Sequence, residues 1–281
     1  MIETIYIVRH GHRASWFTHD WPNVTGVAKD PPIAEFGHEQ AREVAKHFAS
    51  LPLDKRPTII LSSPYIRCLQ TAVPTSKALD LPVFVEHGLS EWYAPVEPET
   101  GLHPRPGGAK EVKKHIEQVD PVWKSTYYPS RKGEWIHELH SRCGEVLNIL
   151  GAAIEEDYSG QHRNVLLFSH GAPIIAFTRE LVGDRDLPLR IGCCSLTELS
   201  RKPGADSTSL VGMFEPVRLA SGDHLAEGAQ RCWGFDNYIT KDGEAVLERG
   251  TDGSAAEDDS PTGNQRPKGI IIQTDTLSAR M

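Results

Sequence analysis

The sequence predicts an α/β fold with a mostly parallel central sheet, and two observations lead to this prediction. Four short runs are apolar along nearly their whole length, which is typical of strands buried on both faces. Between these runs, apolar residues recur at helical spacing, as they do at Ala41, Val44, Ala45 and Phe48. The alternation of strands and helices therefore indicates a sheet that is covered by helices.

The individual elements follow from local signals. Residues 5–10 form the first strand, because Tyr6 and its β-branched neighbours fit a buried pleated surface and Gly11 allows a sharp turn. Pro64 opens the helix over 65–79 at a position that tolerates proline. The other predicted elements are, in order, a polar loop over 12–32, a helix over 37–50, strands over 57–62 and 82–86, a helix over 134–157, a strand over 164–169, a helix over 172–182, a late strand over 191–199 and an edge strand over 210–214.

The chain length of 281 residues favours one large domain with a substantial core. We expect this domain to span 1–245, with an insertion over about 92–132 that forms a lid over the edge of the sheet. Residues 246–281 are expected to be a largely disordered tail, because large apolar side chains are scarce over 250–268. The run Ile270-Ile271-Ile272 is either a strand that docks on this domain or a partner, or a sticky β-prone segment.

Charge and composition argue against several classes of protein. A formal net charge of -8 argues against general nucleic-acid binding, which depends on lysine and arginine. The five cysteines are an odd set without C-x-x-C spacing, which favours reduced thiols over disulfides or a zinc site. The start has no basic leader and no apolar stretch approaches the length of a membrane span, so we expect a cytoplasmic or nuclear location without membrane contact.

Polar residues with catalytic potential follow two of the predicted strands. Arg9-His10-Gly11 ends the first strand, and Ser169-His170-Gly171 ends the strand over 164–169. The carboxyl ends of parallel strands are where open α/β sheets place their chemistry. A neutral imidazole can attack phosphorus while an arginine binds the phosphoryl oxygens, although a lone Arg-His-Gly also serves as a simple strand cap.

A third run leads into a candidate anion site. The segment 57–64 precedes a helix in which Arg67 falls in the first turn. Its guanidinium and the free N–H groups of the helix start both suit an anion. A solvated surface arginine is the alternative, and the two His-Gly turns favour the phosphate interpretation.

These blocks together resemble the histidine phosphatase superfamily, the phosphoglycerate mutase-like group. The resemblance spans roughly residues 4–200 and includes Arg9-His10-Gly11, Ile33-Ala34-Glu35-Phe36-Gly37 with Gln40-Ala41, Ser62-Ser63-Pro64 through Arg67 to Thr71-Ala72, Glu91, and Ser169-His170-Gly171. It implies a three-layer α/β/α sandwich and a phosphatase that needs neither metal nor cofactor. It further implies that His10 forms a phosphohistidine, that Arg9, Arg67 and His170 bind the phosphoryl group, and that Glu91 is the general acid and base.

Two departures from the family pattern refine this expectation. Mutases of the group carry glutamate after Arg-His-Gly, where this chain has His12, so a phosphatase fits better than a mutase. Arg13 gives the pattern R-H-G-x-R, which the acid phosphatase and phytase branch shares, and it is expected to add a fourth phosphate contact. Ser15 and His170-Gly171 depart from the pattern of that branch, so we do not expect the chain to belong to it. As a general acid, Glu91 needs a raised pKa, which burial against Trp92 and Tyr93 would supply.

A narrower resemblance is carried by residues 4–16, 31–35 and 90–93. These segments are similar to fungal phosphatase-domain proteins related to the histidine-phosphatase subunit of the RNA polymerase III general transcription factor. Two functions therefore stay open. One is a phosphatase that acts on a small-molecule or phosphoprotein ester, and the other is a weakly active or inactive scaffold in a transcription complex, with a protein partner or a second copy of the chain.

Overall fold

The computed structural model describes residues 1–157, 161–205, 209–237, 247–251 and 260–266. It confirms the predicted fold, a mostly parallel sheet between two helical layers. The strands are β1 (Thr4–Arg9), β2 (Ile59–Ser62), β3 (Val83–Val85), β4 (Tyr127–Tyr128), β5 (Asn164–Ser169), β6 (Leu196–Arg201), β7 (Phe214–Ser221) and β8 (Gly263–Asn264). The α-helices are α1 (Glu35–Ser50), α2 (Ile66–Leu79), α3 (Ala109–Val112), α4 (Ile136–Asp157) and α5 (Gly171–Val182).

The main sheet has six strands in the order β3-β2-β5-β1-β6-β7. The first four of these are parallel, and β6 and β7 add antiparallel strands at one edge. The predicted edge strand over 210–214 was wrong in its bounds, because β7 begins only at Phe214. A turn with Gly212 at φ 74° precedes the strand, and Leu210 packs into the core instead.

Two hydrophobic cores lie on opposite faces of the sheet, and β1 contributes to both. Ile5 and Ile7 pack into the core shared with α4 and α5. Tyr6 and Val8 point the other way, into the core shared with α1 and α2. This alternation is the period of two expected of a strand, and burial on both faces explains why the run is apolar throughout.

The insertion is anchored beside β3 by a buried carboxylate. Glu86 accepts hydrogen bonds from the backbone N–H groups of Gly88, Thr126 and Tyr127 and from the indole of Trp123. Described parts of the expected tail also lie on the insertion, since Glu248 pairs with Val96 and β8 pairs with β4. The division at residue 245 stays a prediction, and the Ile270–Ile272 run lies outside the described residues. Over the described ranges, no helix has the length and apolar character needed to cross a membrane.

Candidate active site

The carboxyl ends of four parallel strands bring the predicted site residues to one edge of the sheet. Arg9 of β1 is paired in register with Ser169 of β5, which places His10 beside His170 with ring centroids 5.4 Å apart. Arg67 lies in the first turn of α2, after β2, and Glu91 follows the turn after β3. One side-chain nitrogen or oxygen each from His10, His170 and Glu91 lies within 4.8 Å of the others.

A hydrogen bond at Nδ1 fixes the orientation of the His10 ring. The other ring nitrogen, Nε2, does not take part in that bond. Nδ1 lies 2.8 Å from the carbonyl oxygen of Gly11, which can only accept, so Nδ1 carries the proton and Nε2 keeps its lone pair. Burial and the charges of Arg9 and Arg67 hold the pKa of His10 well below its ordinary value. The imidazole is therefore neutral, as a nucleophile must be.

The turn after His10 requires glycine because α1 approaches it closely. A Cβ added at Gly11 would lie 2.8 Å from the carbonyl oxygen of Gly37 in α1. The N–H of Gly11 donates to the hydroxyl of Thr71 in α2, 2.9 Å away. The turn that carries His10 is thus fixed between two helices.

Arg9 is anchored through one end of its guanidinium. Its Nη1 donates to the carbonyl oxygens of Ile191, at 2.6 Å, and Arg231, at 2.7 Å. Its Nε is buried and has no hydrogen-bond partner among the described residues. A guanidinium has five N–H donors, so Arg9 keeps donors for an oxyanion while its position is fixed.

Arg67 is fully buried between two carboxylates. Its nitrogens lie 3.4 Å from Asp30 Oδ1 and 3.3 Å from Glu91 Oε2. Asp30 also accepts from the N–H of Ile66, at 2.9 Å, and so caps α2. The expectation that the N–H groups at this helix start are free for an anion is therefore wrong for Ile66, because Asp30, from the loop before α1, already occupies it.

His170 and Glu91 form a coupled pair beside His10. His170 Nε2 lies 2.8 Å from the hydroxyl of Ser63, and its Nδ1 lies 3.4 Å from Glu91 Oε2. Burial lowers the pKa of His170 to about 4, so this imidazole is neutral near pH 7. For Glu91, burial raises the pKa, but His170, Arg67 and Arg13 outweigh it and hold the pKa below the ordinary range. The raised pKa expected from the sequence is thus not found in the unliganded site.

Arg13 lies over the ring of Trp16, with the guanidinium carbon 4.4 Å from the ring centroid. Its Nε is buried, and no residue that the structure describes forms a hydrogen bond with it. Burial and the charge of Arg67 lower the pKa of Arg13 to about 10, which still leaves it charged near pH 7. Arg13 therefore adds a third guanidinium to those of Arg9 and Arg67.

A cavity of about 260 Å³ opens onto these residues. Arg9, His10, Arg13 and Glu91 form its polar end. The rest of the lining includes Trp92, Tyr93, Gly171, Ala172, Trp233 and Glu248. Sequence reasoning did not identify Trp233, Glu248 or Asp30 as site residues. No local motif marks them, since each reaches the site from a loop or terminal segment.

The site has three donors that could reach one metal ion, but its charge disfavours a cation. His10, Glu91 and His170 are close enough to share an ion. The guanidinium groups of Arg13 and Arg67 lie around the same carboxylate and would repel it. The arrangement suits an anion with several oxygens better than a metal ion.

Comparison with known proteins shows which family and fold the chain shares. A family model described as histidine phosphatase superfamily (branch 1) matches residues 5–212. The transcription factor tau 55 kDa subunit of Saccharomyces cerevisiae is 34% identical over 275 residues, which covers 89% of this chain. This chain spans only 62% of the length of that relative.

Solved structures of phosphatases share the fold. The ecdysone phosphate phosphatase of Bombix mori has a TM-score of 0.57 at 20% identity, and the match covers 78% of this chain and 93% of that one. The mycobacterial glucosyl-3-phosphoglycerate phosphatase has a TM-score of 0.50 at 20% identity, over 77% of this chain and 98% of that one. These similarities are similarities of fold.

Proposed function

The chain belongs to the histidine phosphatase superfamily, and from that premise we propose that it hydrolyses phosphate monoesters through a phosphohistidine on His10. The observation that carries the proposal is the pairing of one neutral histidine with three guanidiniums. His10 is the nucleophile, while Arg9, Arg13 and Arg67 bind the phosphoryl oxygens together with His170. Such donors stabilise the charge that spreads over those oxygens in the transition state.

The first half of the reaction transfers the phosphoryl group to the protein. His10 Nε2 attacks phosphorus, the N–P bond forms, and the P–O bond to the leaving group breaks. The hydrogen bond from Nδ1 to the Gly11 carbonyl, at 2.8 Å, stabilises the positive charge that develops on the ring. Glu91 protonates the leaving oxygen, so the first product departs as a neutral alcohol.

The second half returns the protein to its starting state. The Glu91 carboxylate now accepts a proton from water, and the water oxygen attacks phosphorus. The N–P bond breaks, inorganic phosphate leaves, and His10 is neutral again. One residue thus serves as acid and then as base, and no metal or cofactor takes part.

Substrate binding supplies the protonated form of Glu91 that the first step needs. In the unliganded site, the charges of Arg67 and Arg13 contribute to the low pKa of Glu91. A bound phosphoryl dianion compensates those charges and lies close to the carboxylate. Like charge raises the pKa of a carboxyl group, so Glu91 takes up a proton as the substrate binds.

A trapping experiment tests the nucleophile. Purified protein is incubated with a 4-nitrophenyl phosphate in EDTA, and an acid quench is avoided because phosphohistidine is acid-labile. We expect turnover, and a mass increase of one phosphoryl group that maps to His10. His10→Ala should abolish both signals.

A matched control separates loss of the nucleophile from loss of folding. His47→Ala removes a half-buried histidine of α1 that lies beside His224 and away from the site. It should keep the wild-type activity. Turnover that survives in His10→Ala would disprove the mechanism, and no turnover by wild type over a panel of esters from pH 4 to 8 would disprove the enzyme proposal.

The alternative function is a phosphatase-like scaffold in a transcription complex. It rests on the similarity to the tau 55 kDa subunit, which is 34% identical over 275 residues. A scaffold would have a protein partner, and a nuclear location would follow from it. A purely structural role does not require the buried Arg67 to be kept between Asp30 and Glu91. The presence of this arrangement therefore favours the enzyme.

A further inference from the structure

Three guanidinium groups surround the indole of Trp16, whose ring centroid lies 6.2 Å from that of His10. The guanidinium carbons of Arg13, Arg231 and Arg9 lie 4.4, 5.3 and 5.9 Å from the ring centroid of Trp16. We call Trp16 and these three arginines the Trp16 cluster. Arg9 and Arg13 belong to the proposed phosphoryl site, whereas Arg231 has no role in it and lies beyond the part of the chain that the family model covers.

The Glu91 carboxylate lies near Arg13 and offsets part of the positive charge of the Trp16 cluster. In the described part of the chain, neither Arg13 nor Arg231 forms an ion pair or donates a side-chain hydrogen bond. Arg231 is exposed, and the buried Nε of Arg13 has no partner. Positive charges that share one indole ring attract an anion to its surroundings.

The backbone holds Arg231 in place. Its φ is 55°, in the left-handed region that a non-glycine residue adopts only where its surroundings require it. Its carbonyl accepts from Arg9 Nη1 at 2.7 Å, and nearby Trp233 pairs with Ile191. The pKa of His12, two residues after His10, is lowered by burial and then by the charge of Arg231.

We propose that Arg231, with Arg13 over Trp16, forms a subsite for a second anionic group of the substrate. The inference rests on the proposed phosphatase function and specifies its substrate class. That class is a phosphate monoester that also carries a carboxylate or a second phosphate. The phosphoryl group being transferred takes Arg9, Arg67 and part of Arg13, and the second anion takes Arg231.

A matched pair of substrates tests the subsite. 4-Carboxyphenyl phosphate and 4-carbamoylphenyl phosphate have nearly the same shape and differ in one negative charge. We expect wild-type kcat/KM to favour the carboxylate by about 10-fold, mainly through KM, and to lose that preference at high salt. Phenylene 1,4-bisphosphate shows whether a second phosphate is preferred to a carboxylate.

Substitutions at Arg231 should remove the preference without removing the chemistry. Arg231→Met should bring the carboxylate-to-amide ratio close to one and leave kcat/KM for the amide unchanged. Arg231→Lys should retain part of the preference. Arg42→Met removes an exposed arginine of α1 and controls for the change in net charge.

A binding measurement separates this inference from the phosphatase proposal. 4-Carboxyphenylphosphonate and 4-carbamoylphenylphosphonate are titrated by calorimetry into wild type and Arg231→Met. A carboxylate preference that depends on Arg231 supports the subsite even if no ester is turned over. Turnover without any carboxylate preference, or an equal loss for both compounds in Arg231→Met, overturns the subsite and leaves the phosphatase proposal intact.

Discussion

Glu91 is the proposed proton donor, although its surroundings favour the ionised carboxylate. Its carboxylate lies 3.3 Å from Arg67 and 3.4 Å from His170, and the pKa is held low despite burial. In the proposed mechanism, the catalytic proton therefore arrives with the substrate. The loss of kcat/KM on replacing Glu91 should therefore depend on how strongly the leaving group requires protonation.

A leaving-group comparison tests that role. Glu91→Gln keeps the shape of the side chain but cannot deliver or accept the proton. We expect kcat/KM for phenyl phosphate to fall by about 100-fold or more, as for loss of a general acid. With 4-nitrophenyl phosphate, whose leaving group departs readily as an anion, the fall in kcat/KM should be much smaller.

The second step provides an independent readout of the same variant. In the proposed mechanism, hydrolysis of the phosphohistidine needs Glu91 as a base whatever the first leaving group was. Glu91→Gln should thus release 4-nitrophenolate in a burst of one equivalent and then turn over slowly. An equal loss of kcat/KM for both esters, with no burst, would contradict the assignment of Glu91.

At the residue scale, motifs predicted the positions of His10, Arg67 and His170, because both histidines directly follow a strand and Arg67 lies in the first turn of the helix after one. Their neighbours Asp30 and Arg231 could not be predicted. Asp30 caps α2 from a loop 36 residues earlier, and Arg231 reaches Arg9 across 222 residues of sequence. Contacts of this kind depend on how the loops fold back over the sheet edge.

At the scale of elements, α4 positions the loop that carries Glu91. Arg142 of α4 is buried and donates to the carbonyl oxygens of Gly88, at 2.9 Å, and Ser90, at 3.3 Å. Its Nε lies 2.9 Å from Glu134 Oε1, and the backbone carbonyl of Glu134 accepts from the indole of Trp92 at 2.8 Å. The residues on both sides of Glu91 are therefore tied to one buried ion pair.

Replacing this pair should misplace Glu91 and leave the phosphoryl site intact. Arg142→Met with Glu134→Gln removes both charges together, which avoids leaving one charge buried and unpaired. We expect kcat/KM for phenyl phosphate to fall by about 10-fold and that for 4-nitrophenyl phosphate to fall less. Thermal unfolding verifies that the double variant folds, and an unchanged ratio of the two esters would contradict the positioning role.

The turn that follows His10 is held by a second contact between elements, its close approach to α1. A Cβ added at Gly37 would lie 2.5 Å from the carbonyl oxygen of His12. Gly37→Ala should therefore lower the free energy of unfolding by about 1–3 kcal/mol, as overpacking does. Because the turn moves with His10, kcat should fall as well. Glu39→Ala, at an exposed position of the same helix, should change neither the denaturation midpoint nor kcat.

For the whole molecule, the predicted order of strands and helices up to α5 was confirmed because strands buried on both faces leave strong apolar runs. The late part of the chain was less predictable. The strand over 210–214 was placed too early, and the segment after β7 gave no sign that Trp233 packs between Trp92 and Phe235. A loop that completes a cavity wall needs no regular pattern, so the sequence carries no periodic signal for it.

Acid should unfold the whole molecule, because histidines are buried without charge in distant parts of it. His170 lies at the catalytic edge, and His87 lies under the insertion between Ser125 and the carbonyl of Pro106. Burial lowers the pKa of each to about 4 in the folded protein. In the unfolded chain a histidine has a pKa of about 6.5.

The direction of the pH effect follows from these values. Between about pH 6.5 and 4, the unfolded chain binds protons that the folded protein does not, so the stabilisation is complete above about pH 6.5 and declines as the pH falls. Each histidine accounts for about 3 kcal/mol, and the two together are comparable to the stability of a typical domain. Urea unfolding from pH 7.5 to 4.5 should show this loss, and His87→Gln should make it shallower by up to about 3 kcal/mol. A variant whose slope matches that of wild type would contradict the assignment to His87, and the neutral His170 would then have to account for the decline with the other buried groups.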